Sequence, residues 1–544
     1  MPMNLDDAQV ADLVTRVVAR LKEKGVNAPT SPMPIRSPLS LQGEGSGEGS
    51  ASADCWTRRR HIPENEPIRR KFPNGVSSQS APKVPPAPEV NPQSAIRNPQ
   101  SGDGIYSDPD AACKAAQRAQ EELSRLGFNT RFKLIDAFRK AALENIERWS
   151  HEAAAETKMG RAEDKFKKNR LVTLKTPGPE FLQKPESYSG SDGTSLIRLD
   201  PWGVIASIAP CTNSTETIIN NGIGMISAGN AAVFNPHPIA KRVSADCIQT
   251  INRAIAAAGG PRELLCCIAE PTIESASALM EHPLVSLILV TGGGAVVNAA
   301  MRSSKRAICA GPGNPPAVVD ETADLARAAR AIVAGASLDN NVVCTDEKEV
   351  IAVDSIADAL KSLMLKERCI ELKGADINRL TDLVLSEKGG PGKHGAPCRN
   401  FVGKNPSHIL RELGISAGDE VRLILVDVDK DHPLIWTEQL MPVLPLCRVK
   451  DAEIAIAHAA AVEAGRRHTA SIHTQRLDRI TSFSNTMNCS ICVVNDSNFA
   501  GLGLGGEGYT SFSIATPTGE GLTTARTFCR ERRLAVCGGG LSRL

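Results

Sequence analysis

The sequence predicts an α/β protein built from two doubly wound units, and three observations lead there. Short β-branched runs alternate with helical segments from residue 202 to residue 319, the pattern of a parallel sheet whose strands are joined by helices. A second unit of the same style runs from about residue 322 to residue 495. Between an alanine-rich helical run (residues 325–336) and a buried-strand run (residues 350–353) sits one cysteine, Cys344. A cysteine held by a helix end and a strand start is rigid and can face solvent, and a nucleophile needs both properties. Its polar surroundings (Asp339, Asn340, Asn341, Asp346, Glu347) separate it from most of the 15 cysteines, which read as small buried hydrophobes.

Composition excludes several functions. A formal net charge of +2 over 544 residues implies no strongly acidic or basic partner, and 3% aromatics argue against a base-stacking surface, so no nucleic acid is expected. The cysteines have no regular spacing, which points to a reducing, cytoplasmic compartment rather than a disulfide framework. Cys489 and Cys492 have the spacing of half a zinc site, but no second half lies near; strand packing accounts for them and no metal is expected. No apolar run is long enough to span a membrane. Asp6, Asp7 and Asp12 interrupt any signal-peptide pattern.

In chain order, residues 4–24 read as an amphipathic helix with Leu5, Val10, Leu13, Val14, Val17, Val18 and Leu21 on one face, Asn4 as N-cap and Gly25 as stop. Residues 26–103 are rich in Pro, Gly and Ser, and are expected to be disordered. An apolar helix on such a tether reads as a docking peptide for another protein's groove; the alternative is a helix that folds back on its own domain. Helices are expected over 109–126, 130–158 and 164–174, with Phe132, Leu134, Ile135, Phe138, Leu143 and Ile146 on the second one's apolar face. Residues 176–195 form a turn-rich excursion.

Strands then fall at 202–208, 231–235, 264–268, 284–290, 307–309 and 317–319, with helices at 215–227, 241–258, 272–280 and 295–303 between them. Such sheets bind ligands at the carboxyl ends of their strands. Those ends carry residues 210–213, 235–237 and 291–294. Thr291-Gly292-Gly293-Gly294 before a helix suits a phosphate meeting backbone N–H groups, or equally a tight structural turn. The second unit contributes Cys344, a helix at 355–366, a strand at 422–427 and the segment 432–449. A glycine-dense loop, residues 501–508, opens the tail.

Taken together, residues 203–230 (with Thr212-Asn213), 233–238, 290–294, 310–316, 339–350, 437–445 and 518–521 resemble the aldehyde dehydrogenase superfamily. More narrowly they resemble the coenzyme A-acylating aldehyde dehydrogenases of bacterial microcompartments. The likeness covers about residue 104 to the end. It implies a Rossmann-type cofactor domain over 104–320, with an oligomerisation excursion near 176–198. It further implies an α/β catalytic domain over 321–497 and a C-terminal segment with an oligomerisation arm over 498–544, hence a homo-oligomer. Residues 1–25 resemble the family's encapsulation peptides, which implies shell proteins as partners.

The same resemblance assigns roles. Cys344 matches the nucleophile, and Asn213 the side-chain amide that forms an oxyanion hole with the Cys344 N–H. Pro210, Asn235, His237, Lys241, Thr291, Gly292, Gly293, Gly294 and Glu438 match cofactor-binding positions, Glu438 contacting the nicotinamide-side ribose. NAD and coenzyme A are implied to share one cleft in turn. Hydrolytic relatives carry a glutamate where this chain has Ala310, and no acid occurs between Arg306 and Asp320. The expected reaction is therefore oxidation of propanal, lactaldehyde or acetaldehyde to an acyl-CoA inside a microcompartment. The competing readings are a hydrolytic dehydrogenase and an inactive shell-associated protein. Cys211 and Cys309 are expected to line the cleft, and Glu216 and Glu347 to serve helix turns.

Overall fold

The computed structural model describes residues 102–538. The expected docking helix, and all but the last two residues of the expected linker, lie outside the described residues.

Six parallel strands form the first sheet. From edge to edge they are Ile105–Tyr106, Leu265–Ile268, Ala231–Asn235, Val204–Ile208, Val285–Thr291 and Arg306–Ala310. The order reverses at Val204–Ile208: later strands add first on one side, then on the other. Its residues and those of Ala231–Asn235 are buried throughout, which is why these runs are apolar without alternation. Beside the sheet, Thr130–Thr157 buries Leu134, Ile135, Phe138, Ile146 and Trp149. Leu143, expected on that apolar face, is 40% exposed, because the face is narrower than the run of apolar letters suggests.

The second sheet has seven parallel strands in the order Cys369–Leu372, Leu423–Asp427, Val443–Val449, Glu349–Val353, Pro316–Val319, Thr469–His473 and Ile491–Val494. One placement differs from the sequence reading. The strand near 317–319, expected inside a unit ending at residue 320, pairs with Glu349–Val353 and Thr469–His473. The chain therefore changes sheets between Ala310 and Pro316. An apolar strand fits either sheet, and only its neighbours decide which.

The expected excursion near 176–198 is more ordered than a turn-rich stretch. Glu186–Gly190 and Gly193–Pro201 form a hairpin, and Cys529–Cys537 pairs along the whole length of the second strand. That pairing joins segments more than 300 residues apart, which local turn chemistry cannot announce. No helix among the described residues is long and apolar enough to cross a membrane.

Candidate active site

The carboxyl ends of the first sheet face the amino ends of the second. The cleft between them, about 520 Å³, takes Ile208–Asn213, Asn235–Pro238, Thr291–Gly293 and Ala310–Pro312 from the first unit's strand ends. From the second it takes Val342, Cys344, Glu438 and Leu440, and from the tail Phe512 and Ile514. This volume lies in the range of small-molecule sites, and its place at the reversal of strand order is where such sheets bind ligands.

Cys344 ends an unusual piece of backbone. After the helix Leu325–Ala336 the chain runs through three left-handed residues, Asp339, Asn340 and Asn341, with φ of 48°, 55° and 62°. Asp and Asn tolerate this conformation better than other side chains, and tertiary contacts offset the strain. Asn341 Nδ2 donates to the carbonyls of Ala336 (2.7 Å) and Glu347 (2.9 Å). The Lys348 ammonium closes the loop from below, donating to Asn341 O, Asn341 Oδ1 and Val343 O at 2.9, 2.6 and 3.0 Å. From Gly335 to Val353, Cys344 alone keeps solvent exposure. The loop thus holds one thiol toward the cleft and buries everything else.

Electrostatics keep that thiol protonated. Burial, with Glu438 next in effect, pushes the Cys344 pKa up to about 12, while Lys348 pulls the other way. Three acids beside it in the chain, Asp346, Glu347 and Glu349, are fully buried, as is the Lys348 ammonium among them. Burial raises all three, Asp346 and Glu347 to about 8. Glu347 Oε1 accepts the Asn498 N–H at 2.7 Å, a structural task rather than the helix-turn role expected of it.

Asn213 precedes the helix Ser214–Ala228, a position where Asn normally caps. Here its side chain does not cap; its Oδ1 accepts from the Lys168 ammonium at 2.6 Å. Lys168 also meets Asp339 Oδ2 at 2.6 Å and Glu216 Oε1 at 3.2 Å, and Lys165 meets Asp339 Oδ2 at 2.9 Å. All these charges are buried.

Among the other expected residues, Pro210, Asn235, His237, Thr291, Gly292, Gly293 and Glu438 line the cleft, whereas Lys241 and Gly294 do not. Lys241 opens the helix Lys241–Ala257 and pairs with Glu270. Gly294 is the first residue of the helix Gly294–Met301, which has no side-chain cap, so its first N–H groups are left for a ligand. The Asn235 amide is engaged with Ser275 Oγ (2.6 Å) and Thr272 O (3.4 Å). His237 Nδ1 accepts the Ile239 N–H at 3.3 Å; burial and Arg399 lower its pKa. The Thr291 hydroxyl is held by Ser513 Oγ at 2.7 Å. Glu438 Oε1 accepts the Gly313 N–H at 3.2 Å, and burial raises its pKa. Cys211 lines the cleft, but Cys309, expected there too, is buried and does not.

Residues 85–378 and 422–518 match the aldehyde dehydrogenase family. The chain belongs to that family. Among its relatives is the acetylating acetaldehyde dehydrogenase EutE of Salmonella typhimurium, 46% identical over 434 residues, 80% of this chain and 92% of that one. Among solved structures, a Rhodopseudomonas palustris propionaldehyde dehydrogenase with bound propionyl-CoA is 43% identical with a TM-score of 0.77, covering 80% of this chain and 96% of that one. A propionaldehyde dehydrogenase from the Clostridium phytofermentans fucose utilisation bacterial microcompartment is 42% identical with a TM-score of 0.77, covering 80% and 98%.

Within this aldehyde dehydrogenase fold, sequence reasoning missed Lys165, Lys168 and His468. His468 is fully buried with Nε2 unpartnered, and burial drops its pKa to about 3. The lysines sit in a helix, Ala162–Lys175, whose letters read as a solvated charged face. Nothing in periodicity marks a lysine whose counter-ion lies 171 positions away.

Proposed function

We propose that this chain oxidises a short-chain aldehyde with NAD and passes the acyl group to coenzyme A, giving acyl-CoA and NADH. Cys344 attacks the carbonyl carbon, its sulfur forms the new bond, and one proton leaves the cleft. Asn213 Nδ2 and the Cys344 N–H stabilise the resulting oxyanion; one well-placed donor of this kind contributes about 3–4 kcal/mol. NAD, when bound, accepts the hydride that leaves the same carbon. What stays on Cys344 is a thioester, which a second thiol then takes.

The observation that carries this reading is Ala310. It lines the cleft with Cys344 and has no carboxylate to activate water against the thioester. Glu438, the one acid among the described residues lining the cleft, is tied to the Gly313 N–H. The names of the relatives, acetylating in one and solved with propionyl-CoA in another, agree. The residues present suit the cofactor: the uncapped helix behind Gly292 and Gly293 offers N–H groups to a phosphate. Propanal, lactaldehyde and acetaldehyde differ by one small group, worth only about 1–3 kcal/mol in a pocket.

The deciding experiment is steady-state NADH formation with two- to four-carbon aldehydes, with and without coenzyme A. The reading requires acyl-CoA as product, and NADH formation limited to a single equivalent when the thiol is withheld. Full-speed release of carboxylic acid without coenzyme A would sink it, and so would turnover by Cys344→Ser.

Residues 1–25 are proposed to dock on shell proteins, placing the enzyme inside a microcompartment; the microcompartment origin of one relative supports this. Deleting them should leave catalysis intact and abolish co-sedimentation with shells. The sheet formed by the 186–201 hairpin and Cys529–Cys537 is proposed to join copies into a homo-oligomer. Tyr188 and Leu534 on it are 61% and 51% exposed.

A further inference from the structure

We propose that Lys168 is a positioning residue that sets the Asn213 half of the oxyanion hole through one buried ammonium. The inference rests on the roles given above to Cys344 and Asn213, and adds the group that orients Asn213.

An amide side chain has two faces of opposite character, and a partner must choose between them. An ammonium has only donors, so it selects the oxygen. Lys168 Nζ donates to Asn213 Oδ1 at 2.6 Å, which turns Asn213 Nδ2, the donor, away from the buried charges. Asn213 is thereby drawn off the capping role its position favours. The same ammonium lies 2.6 Å from Asp339 Oδ2, and Asp339 begins the left-handed run that leads to Cys344. The Asp339 N–H in turn donates to Asp164 Oδ2 at 3.1 Å, and Asp339 Oδ1 accepts the Arg161 N–H at 2.7 Å. Lys168 is fully buried, and it touches an element of each α/β unit. Burial works against its charge, but Asp339 and Glu216 outweigh that and hold it protonated.

A lysine serving stability alone would be expected to lower Tm and leave the chemistry of the folded fraction unchanged. A lysine that aims Asn213 should instead lower the rate of Cys344 acylation. The test measures the NADH burst without coenzyme A and steady-state kcat and KM in wild type, Lys168→Met, Asn213→Ala and the double variant. A wild type lacking the burst would overturn the roles given to Cys344 and Asn213, independently of Lys168. The expected result is a burst rate about 10- to 100-fold slower in Lys168→Met, with KM for aldehyde within about twofold. In the Asn213→Ala background the Lys168 change should cost less than about threefold more, because the group it orients is gone. If the two losses multiply in full, or if Lys168→Met retains the wild-type burst rate, the proposal is overturned. Should Lys168→Met not fold, Lys168→Met/Glu216→Gln removes one charge of each sign, and the same cycle with Asn213→Ala decides.

Discussion

The Cys344 carbonyl oxygen occupies the space where Gly313 would carry a side chain: a β-carbon there would lie 2.6 Å from it, and 3.0 Å from His468 Cγ. Neither neighbour is the free end of a flexible chain, so the loop that carries Cys344 would have to move. Gly313→Ala should therefore lower kcat by about 10- to 100-fold, the scale of a misplacement approaching 1 Å. Burst kinetics on the folded protein check this; an unchanged rate would show that the loop tolerates the shift.

Ala310 is nearly buried at the cleft wall, where hydrolytic relatives are implied to carry their base. Ala310→Glu should release free acid without coenzyme A at least about tenfold faster than wild type, within the range a positioned base supplies. Product analysis by chromatography, with coenzyme A absent, is the measurement. No rise in acid would mean that water does not reach the thioester.

Glu438 raises the Cys344 pKa, second only to burial. Glu438→Gln removes the charge and keeps an acceptor for the Gly313 N–H. The pH profile for iodoacetamide alkylation of Cys344, read by mass spectrometry, should shift to lower pH. Lys348 acts in the opposite sense, so Lys348→Met should shift the profile upward.

Asp346 holds its proton up to about pH 8 in the folded protein, against an ordinary value of 3.8, because burial disfavours its charge. The folded state then keeps a proton that the unfolded chain has lost. Stability accordingly falls as pH rises from about 4 to about 8, and this group adds no further slope above that. Asp346→Asn, which keeps an acceptor for the Val343 N–H at 2.9 Å, should flatten that decline. The slope removed is at most about 1.4 kcal/mol per pH unit. Urea unfolding across this range measures it, and an unchanged slope would mean that Asp346 is ionised in the fold.

Local pattern alone establishes the parallel α/β architecture, because strands such as Ala231–Asn235 and Ile491–Val494 and the helix Leu325–Ala336 announce themselves in the letters. The sequence also singled out Cys344, Asn213 and Glu438, which stand in recognisable motifs and meet in one cleft. Tertiary structure alone decided which sheet took Pro316–Val319, where Cys529–Cys537 paired, and that Lys168 faces Asn213 and Asp339 instead of water. The reason is range. Periodicity reports the environment a few residues deep, whereas a buried ion or a strand edge is satisfied by partners that only folding brings together.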